Sequence, residues 1–163
     1  MSTPPTELII EPFRPELREH FYCLNAAWLE RYFKVEPLDS ELLGNPERRI
    51  LEPGGTILFA RLDDEVVGTG AMLHELDGIY ELGKMAVADD YRGRGIGRVL
   101  LAALIAEFHR RGGRELFLES NSRLAPALHL YESMGFERQP APRAQSHYAR
   151  ADVYMIYRPR PGA

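Results

Sequence analysis

At 163 residues the chain has room for one domain with a real hydrophobic core, and 45% hydrophobic against 27% charged residues excludes a disordered or fibrous protein. The formal net charge of −4 disfavours a nucleic-acid partner. A single cysteine, Cys23, cannot close an internal disulfide and points to a reducing, cytoplasmic setting. The opening MSTPPTELII lacks the basic and apolar parts of a targeting signal, and no apolar run reaches the roughly 18 residues of a membrane span. No membrane partner is expected.

In chain order, ELIIEPF (7–13) is β-prone, and 15–33 carries Leu17, Phe21, Leu24, Trp28, Leu29 and Phe33 at helical spacing. LDSELLGNPERRIL (38–51) predicts a shorter helical segment interrupted at GNP, with Asp39 or Ser40 as its N-cap. Runs 56–62, 65–76 and 79–87, joined by Asp-rich and Asp-Gly turns, predict a three-stranded antiparallel meander. Residues 98–111 predict a helix with Leu100, Leu101, Leu104, Ile105 and Phe108 on one face, Glu107 spaced to pair with Arg111, and Gly112 as its stop. A strand at RELFLES, a helix at SRLAPALHLYESMG, a strand at GFERQ and a long final strand at HYARADVYMIYR complete the pattern. The proline-containing ends, STPP and RPRPGA, predict frayed termini.

The strand, helix, strand unit from 79 to 120 forces one parallel crossover into an otherwise antiparallel sheet. The expected fold is α/β, a mixed sheet with helices on both faces, spanning 1–163 as one domain. At that crossover sits YRGRGIGRV, with Gly93, Gly95 and Gly97 between Arg92, Arg94 and Arg98. A helix N-terminus leaves N–H groups unpaired, glycines let a ligand reach the backbone, and arginines add positive charge, so the loop around Ile96 is a phosphate-binding candidate. Neither G-x-G-x-x-G nor a Walker loop fits the spacing.

The form that does fit is [Q/R]-x-x-G-x-[G/A], Arg92 through Gly97, with LYESMGF some thirty residues later. With these motifs and this order of elements the chain resembles the GNAT superfamily of acyl-CoA-dependent N-acetyltransferases. The resemblance implies acetyl-CoA as cosubstrate and a primary amine of a small molecule, amino acid or protein as acceptor, acetylated by direct attack in a ternary complex. It implies Glu81 as general base, the backbone of Met85, Ala86 and Val87 at a bulged strand end against the thioester and pantetheine, Tyr131 as general acid, and Asn121 beside the pantetheine arm. A glutamate near pKa 4.3 is a weak base for this task and needs desolvation or a water relay. Regular alternation puts Glu81, Gly83, Met85 and Val87 on one strand face and Leu82, Lys84 and Ala86 on the other.

On the acceptor side, Trp28, Tyr32 and Phe33 with Glu30 and Glu36 would suit a cationic amine, and the loop carrying His147, Tyr148 and Arg150 would cap the site. Cys23 reads as a buried structural thiol. The five histidines lack metal-ligand spacing, and no metal is expected. Members of the superfamily often dimerise, and VYMIY is a candidate interface strand. A non-catalytic acyl-CoA-binding or regulatory domain is the alternative, and retention of Glu81 and Tyr131 favours the enzyme.

Overall fold

The computed structural model describes residues 7–159. The expectation for STPP lies outside the described residues, as does that for the last four positions; Arg158, however, is held by its N–H to the Gly135 carbonyl at 2.7 Å.

Strand β1 (Leu8–Pro12) leads through a 3-10 turn into helix α1 (Arg18–Tyr32), then α2 (Pro37–Gly44) and one π-helical turn (Glu47–Leu51). Strands β2 (Thr56–Leu62), β3 (Glu65–Leu76) and β4 (Ile79–Val87) form the meander, then α3 (Ile96–Arg110), β5 (Glu115–Ser120), α4 (Ala125–Ser133), β6 (Phe136–Arg138) and β7 (Val153–Tyr157). The strands make one sheet in the order β1-β2-β3-β4-β5-β7-β6. Among the described residues only the β4–β5 pair is parallel, because α3 carries the chain back between them.

Local chemistry explains the elements. Asp63 and Gly78 take positive φ (53° and 75°) in the two meander turns, and Gly112 (66°) stops α3. Leu100, Leu101, Leu104, Ile105 and Phe108 are buried, so α3 lies on one sheet face with α4. Phe21 and Leu29 of α1 and Leu42 and Leu43 of α2 pack on the other face over Ile57, Phe59 and Ala71. Among the described residues no helix is long and apolar enough to cross a membrane.

Four expectations change. The N-cap of α2 is Glu36, and Asp39 sits three residues on, its carboxylate accepting the Glu36 N–H at 2.9 Å. Cys23 is exposed, because α1 buries Phe21, Asn25 and Leu29, and a residue two places after Phe21 points away from that face. The final strand begins at Val153 rather than at 147, since residues 148–152 are drawn off the sheet by bonds to α2 and to the turn after β5. β7 is also interior, between β5 and β6, with Val153, Met155 and Ile156 buried, so its apolar letters serve the core.

Candidate functional site

The site arises where two neighbouring strands part. The β4–β5 ladder runs from Ile79 opposite Glu115 to Leu82 opposite Leu118 and stops, while β5 continues to Ser120 paired with β7. Pairing of β4 with β3 steps from Gly83 opposite Ala71 to Ala86 opposite Thr69, so Lys84 and Met85 together oppose Gly70. That is a β-bulge, and Lys84 takes φ of 52° to make it. Among the described residues, the β5-facing backbone groups of β4 beyond Leu82 have no strand partner and can meet a ligand.

The bulge also reverses the side chains. Regular alternation puts Met85 and Val87 beside Glu81 and Lys84 opposite it; in the structure Lys84 reaches α2 on Glu81's side. Met85 lies over Gly70, where a Cβ would meet Met85 Cγ at 2.8 Å and Leu104 Cδ1 at 2.9 Å, and Val87 joins Ile96 and Leu100. One extra residue flips everything after it.

A cavity of about 110 Å³ fills the wedge, with Glu81, Lys84 and Met85 on one wall, Asn121 and Tyr131 on another, and Tyr148 closing it. Ala86, Val87 and the glycine loop lie outside this lining, so the β4 window that reaches the cavity is Gly83 to Met85. Desolvation, reinforced by the carboxylates of Glu119 and Glu75, pushes the Glu81 carboxyl up to about 7, against the pull of Arg143 and Lys84. Such a group exchanges a proton readily near neutral pH. Tyr131 is pushed up to about 12 by burial alone, and its ring meets Phe136 edge-on at 6.0 Å. Its hydroxyl therefore keeps its proton and can donate a hydrogen bond. Asn121 Nδ2 donates to the Arg150 carbonyl (2.7 Å) and its Oδ1 accepts the Arg123 N–H (2.8 Å), so its amide orders the turn after β5.

An ionic network lies under the bulge. The Lys84 ammonium bonds the Asp39 carboxylate at 2.5 Å, the two side chains being 7% and 0% exposed, and both Arg150 nitrogens donate to the same carboxylate at 2.7 and 2.8 Å. Burial opposes the charge on Asp39, but these hydrogen bonds outweigh it and hold the carboxyl at about 2. Arg150 also pairs with Glu36 (3.2 Å), whose other oxygen accepts the Ala149 N–H (2.9 Å). The Tyr148 ring meets both the Lys84 and Arg150 cations, 4.7 and 4.3 Å from its centre. These bonds fix the loop before β7.

The glycine loop forms the entry to α3. Gly93 and Gly95 adopt φ of 77° and 79°, and a Cβ at either would meet nothing within 4 Å, so the backbone is open to an approaching group. The first helical bond is from Val99 N–H to the Gly95 carbonyl, which leaves the N–H groups of Ile96, Gly97 and Arg98 without helical acceptors. Ile96's side chain is buried; only its backbone faces the loop. Arg92 pairs with Asp89 (3.1 Å) and bonds the Tyr32 hydroxyl, Arg94 lies over Tyr91, and Arg98 donates to Ser133 Oγ (2.9 Å). The charges flank a backbone that is open to an anion.

Of the residues expected on the acceptor side, Trp28, Phe33, Tyr148 and Arg150 line the cavity; Tyr32, Glu30, Glu36 and His147 do not. The aromatic faces are largely taken by the protein's own cations, Tyr32 by Arg31 and Arg92, and Phe33 by Arg123. Sequence reasoning missed Asp39, Lys84, Glu119, Glu75 and Arg143. A carboxylate inside the apolar run PLDSELL and a lysine inside a strand were the available signals for the first two.

A sheet that splays beside a glycine-led helix is the arrangement expected of an acyl-CoA-dependent acyltransferase fold. The model of the acetyltransferase (GNAT) family matches residues 14–136, and the chain belongs to that family. It is similar to the [ribosomal protein bS18]-alanine N-acetyltransferase of Salmonella typhimurium, 44% identical over 68 residues that cover 39% of this chain and 46% of that protein. The match thus spans about half the length of that curated relative. The fold is shared with a GNAT-family acetyltransferase from Staphylococcus aureus (TM-score 0.82, 20% identity, 92% of this chain and 98% of that one). It is shared also with yncA from Salmonella typhimurium with its cofactor acetyl-CoA (TM-score 0.74, 22% identity, 96% of each chain).

The raised Glu81 sets a stability test. Its folded pKa exceeds the unfolded value near 4.5, so its contribution to stability is present at low pH and is lost as pH rises through about 7. Glu81→Gln is therefore expected to be more stable than the parent at pH 8, on the order of 1–3 kcal/mol, and equal to it near pH 4. Urea unfolding at the two pH values checks this.

Proposed function

We propose that residues 1–163 form one catalytic domain, an N-acetyltransferase that moves the acetyl group of acetyl-CoA to a primary amine by direct attack in a ternary complex. The observation that carries this reading is an enclosed carboxyl poised at about 7 in the cavity where β4 leaves β5, in a chain of this family. Bound acetyl-CoA would supply a thioester carbonyl as the acyl donor.

The residues fit that cosubstrate. The open backbone at Gly93 and Gly95, with Arg92, Arg94, Ile96, Gly97 and Arg98, suits a pyrophosphate, and the unpartnered β4 edge at Gly83 to Met85, continuing through Ala86 and Val87, suits a peptide-like pantetheine arm with Asn121 across from it.

An alkylamine near pKa 10.4 arrives protonated, and Glu81 removes the proton. A carboxyl pushed up to about 7 makes that transfer less uphill than it would be for an ordinary glutamate. Backbone N–H groups at the bulge stabilise charge developing on the carbonyl oxygen. Tyr131 donates a hydrogen bond to the departing sulfur. As the C–S bond breaks, the second proton shed by the attached nitrogen passes through water to the departing sulfur, because the Tyr131 hydroxyl, pushed up to about 12, holds its own proton more tightly than a thiol near 8.5 does. No metal takes part in this reading.

The acidic surroundings of Glu81, from Glu75 and Glu119, favour a cationic acceptor, and the Salmonella relative is named for an alanine of a ribosomal protein. A polypeptide α-amine is therefore the first acceptor class to screen, ahead of free amino acids and small amines. A cytoplasmic setting goes with such an acceptor. Nothing supports the non-catalytic alternative.

Calorimetry against acetyl-CoA should give micromolar binding for the parent and none for Gly95→Trp; normal binding to the variant removes the loop from the cofactor site. In CoA-release assays with alanine-led peptides, parent kcat should fall as pH drops through about 7. Glu81→Gln should lose 10²- to 10⁴-fold in kcat with acetyl-CoA affinity unchanged. An unimpaired variant removes Glu81 from the reaction.

A further inference from the structure

Lys84 combines features that ordinary packing does not require together. It is a non-glycine residue at positive φ in the middle of a strand, and its ammonium, on the far side of the bulge from Met85, is buried against a fully buried carboxylate on α2. Left-handed backbone is unfavourable for a lysine and persists where its surroundings over-determine it. The determinant here is Asp39, which simultaneously takes the two nitrogens of Arg150 from the loop that closes the cavity.

We propose that Lys84 and Asp39 are positioning residues for acetyl transfer: their buried pair pins the β4 bulge to α2, and Arg150 on the same carboxylate ties the cavity-closing loop to that anchor. The inference rests on the acetyltransferase reading above. The geometry has three consequences. The bulge fixes which β4 backbone groups face the wedge, so loosening Lys84 disturbs carbonyl polarisation. The Lys84 cation lies three residues from Glu81 on the same wall, so its removal withdraws a positive charge from the base. Arg150 holds Ala149 and Tyr148 through Asp39 and Glu36, so weakening it loosens the acceptor-side wall.

The charged and titratable groups around Glu81 are Glu75 from β3, Lys84 from β4, Glu119 from β5, Tyr131 from α4, and Arg143, Tyr148 and Arg150 from the loop before β7. Replacing Lys84 alters one of these and leaves the carboxylates in place.

The test is the pH profile of kcat at saturating amine, with KM for the amine and acetyl-CoA affinity measured separately, for Lys84→Gln, Lys84→Arg and Arg150→Lys. Lys84→Gln should lower kcat by 10- to 100-fold and move the acidic limb upward by roughly half a unit, with calorimetric acetyl-CoA affinity within threefold of the parent. Lys84→Arg, which restores the cation, should return the limb to its parental position. Arg150→Lys should raise KM for the amine about tenfold and leave the limb unmoved. An unchanged limb and kcat within twofold in Lys84→Gln overturn the proposal, as does a loss of activity matched by an equal loss of acetyl-CoA-binding sites. If Lys84→Gln does not fold, Lys84→Arg and Arg150→Lys decide: a parental KM for the amine in Arg150→Lys, or a shifted limb in Lys84→Arg, overturns it. A parent that binds acetyl-CoA but acetylates no amine contradicts the acetyltransferase reading instead.

Discussion

The parting of β4 from β5 is the constraint on which the site depends. A parallel pair joined by a helix is stable when its ladder is continuous, and here it ends after four residues on β4 while β5 goes on to pair with β7. The ladder ends because β4 carries an extra residue opposite Gly70 and bends away. From that single event come the wedge-shaped cavity, the free backbone edge, and the placing of Glu81 and Lys84 on one wall.

A bulge of this kind carries a conformational cost of order 1–3 kcal/mol for a non-glycine residue at positive φ, and a buried charge on Asp39 costs more unless it is fully paired. Both are offset together. Asp39 receives three donors from two cations as well as the Glu36 N–H, and among the described residues no buried side-chain nitrogen or oxygen is left without a hydrogen-bond partner. The pairing is asymmetric in its effect: the carboxylate of Asp39 is kept charged, whereas Glu81, on the same side of the sheet and without comparable donors, is pushed toward the neutral form. Two acids of the same chemical class thus acquire opposite character from their neighbours.

Much of the architecture was legible in the sequence. The meander, the crossover and the apolar face of α3 come from period and turn chemistry, and the glycine loop was marked by its own letters and by the amphipathic helix behind it. The faces of β4 were not legible, because alternation assumes an unbroken ladder and nothing in ELGKMAV states that Lys84 will adopt left-handed backbone. The start of β7 was misplaced for a related reason: HYARAD alternates acceptably as strand, but Arg150 and Asp152 find partners on α2 and after β5 that outcompete the ladder. Long-range ion pairs leave no local period. Glu81 was named through the family resemblance, yet the causes of its raised proton affinity, burial first and then the carboxylates of Glu119 and Glu75 on neighbouring strands, needed the packed sheet to be seen.

If the wedge between β4 and β5 receives the acyl donor, its reactive end must lie beside Glu81 and Tyr131. A crystal structure of the protein grown with CoA tests this most directly. The expected result is pyrophosphate on the N–H groups of residues 93–98, the pantetheine amides along Gly83 to Met85, and the sulfur within hydrogen-bond reach of the Tyr131 hydroxyl. A CoA molecule bound elsewhere, or one whose sulfur points away from the wedge, would contradict it.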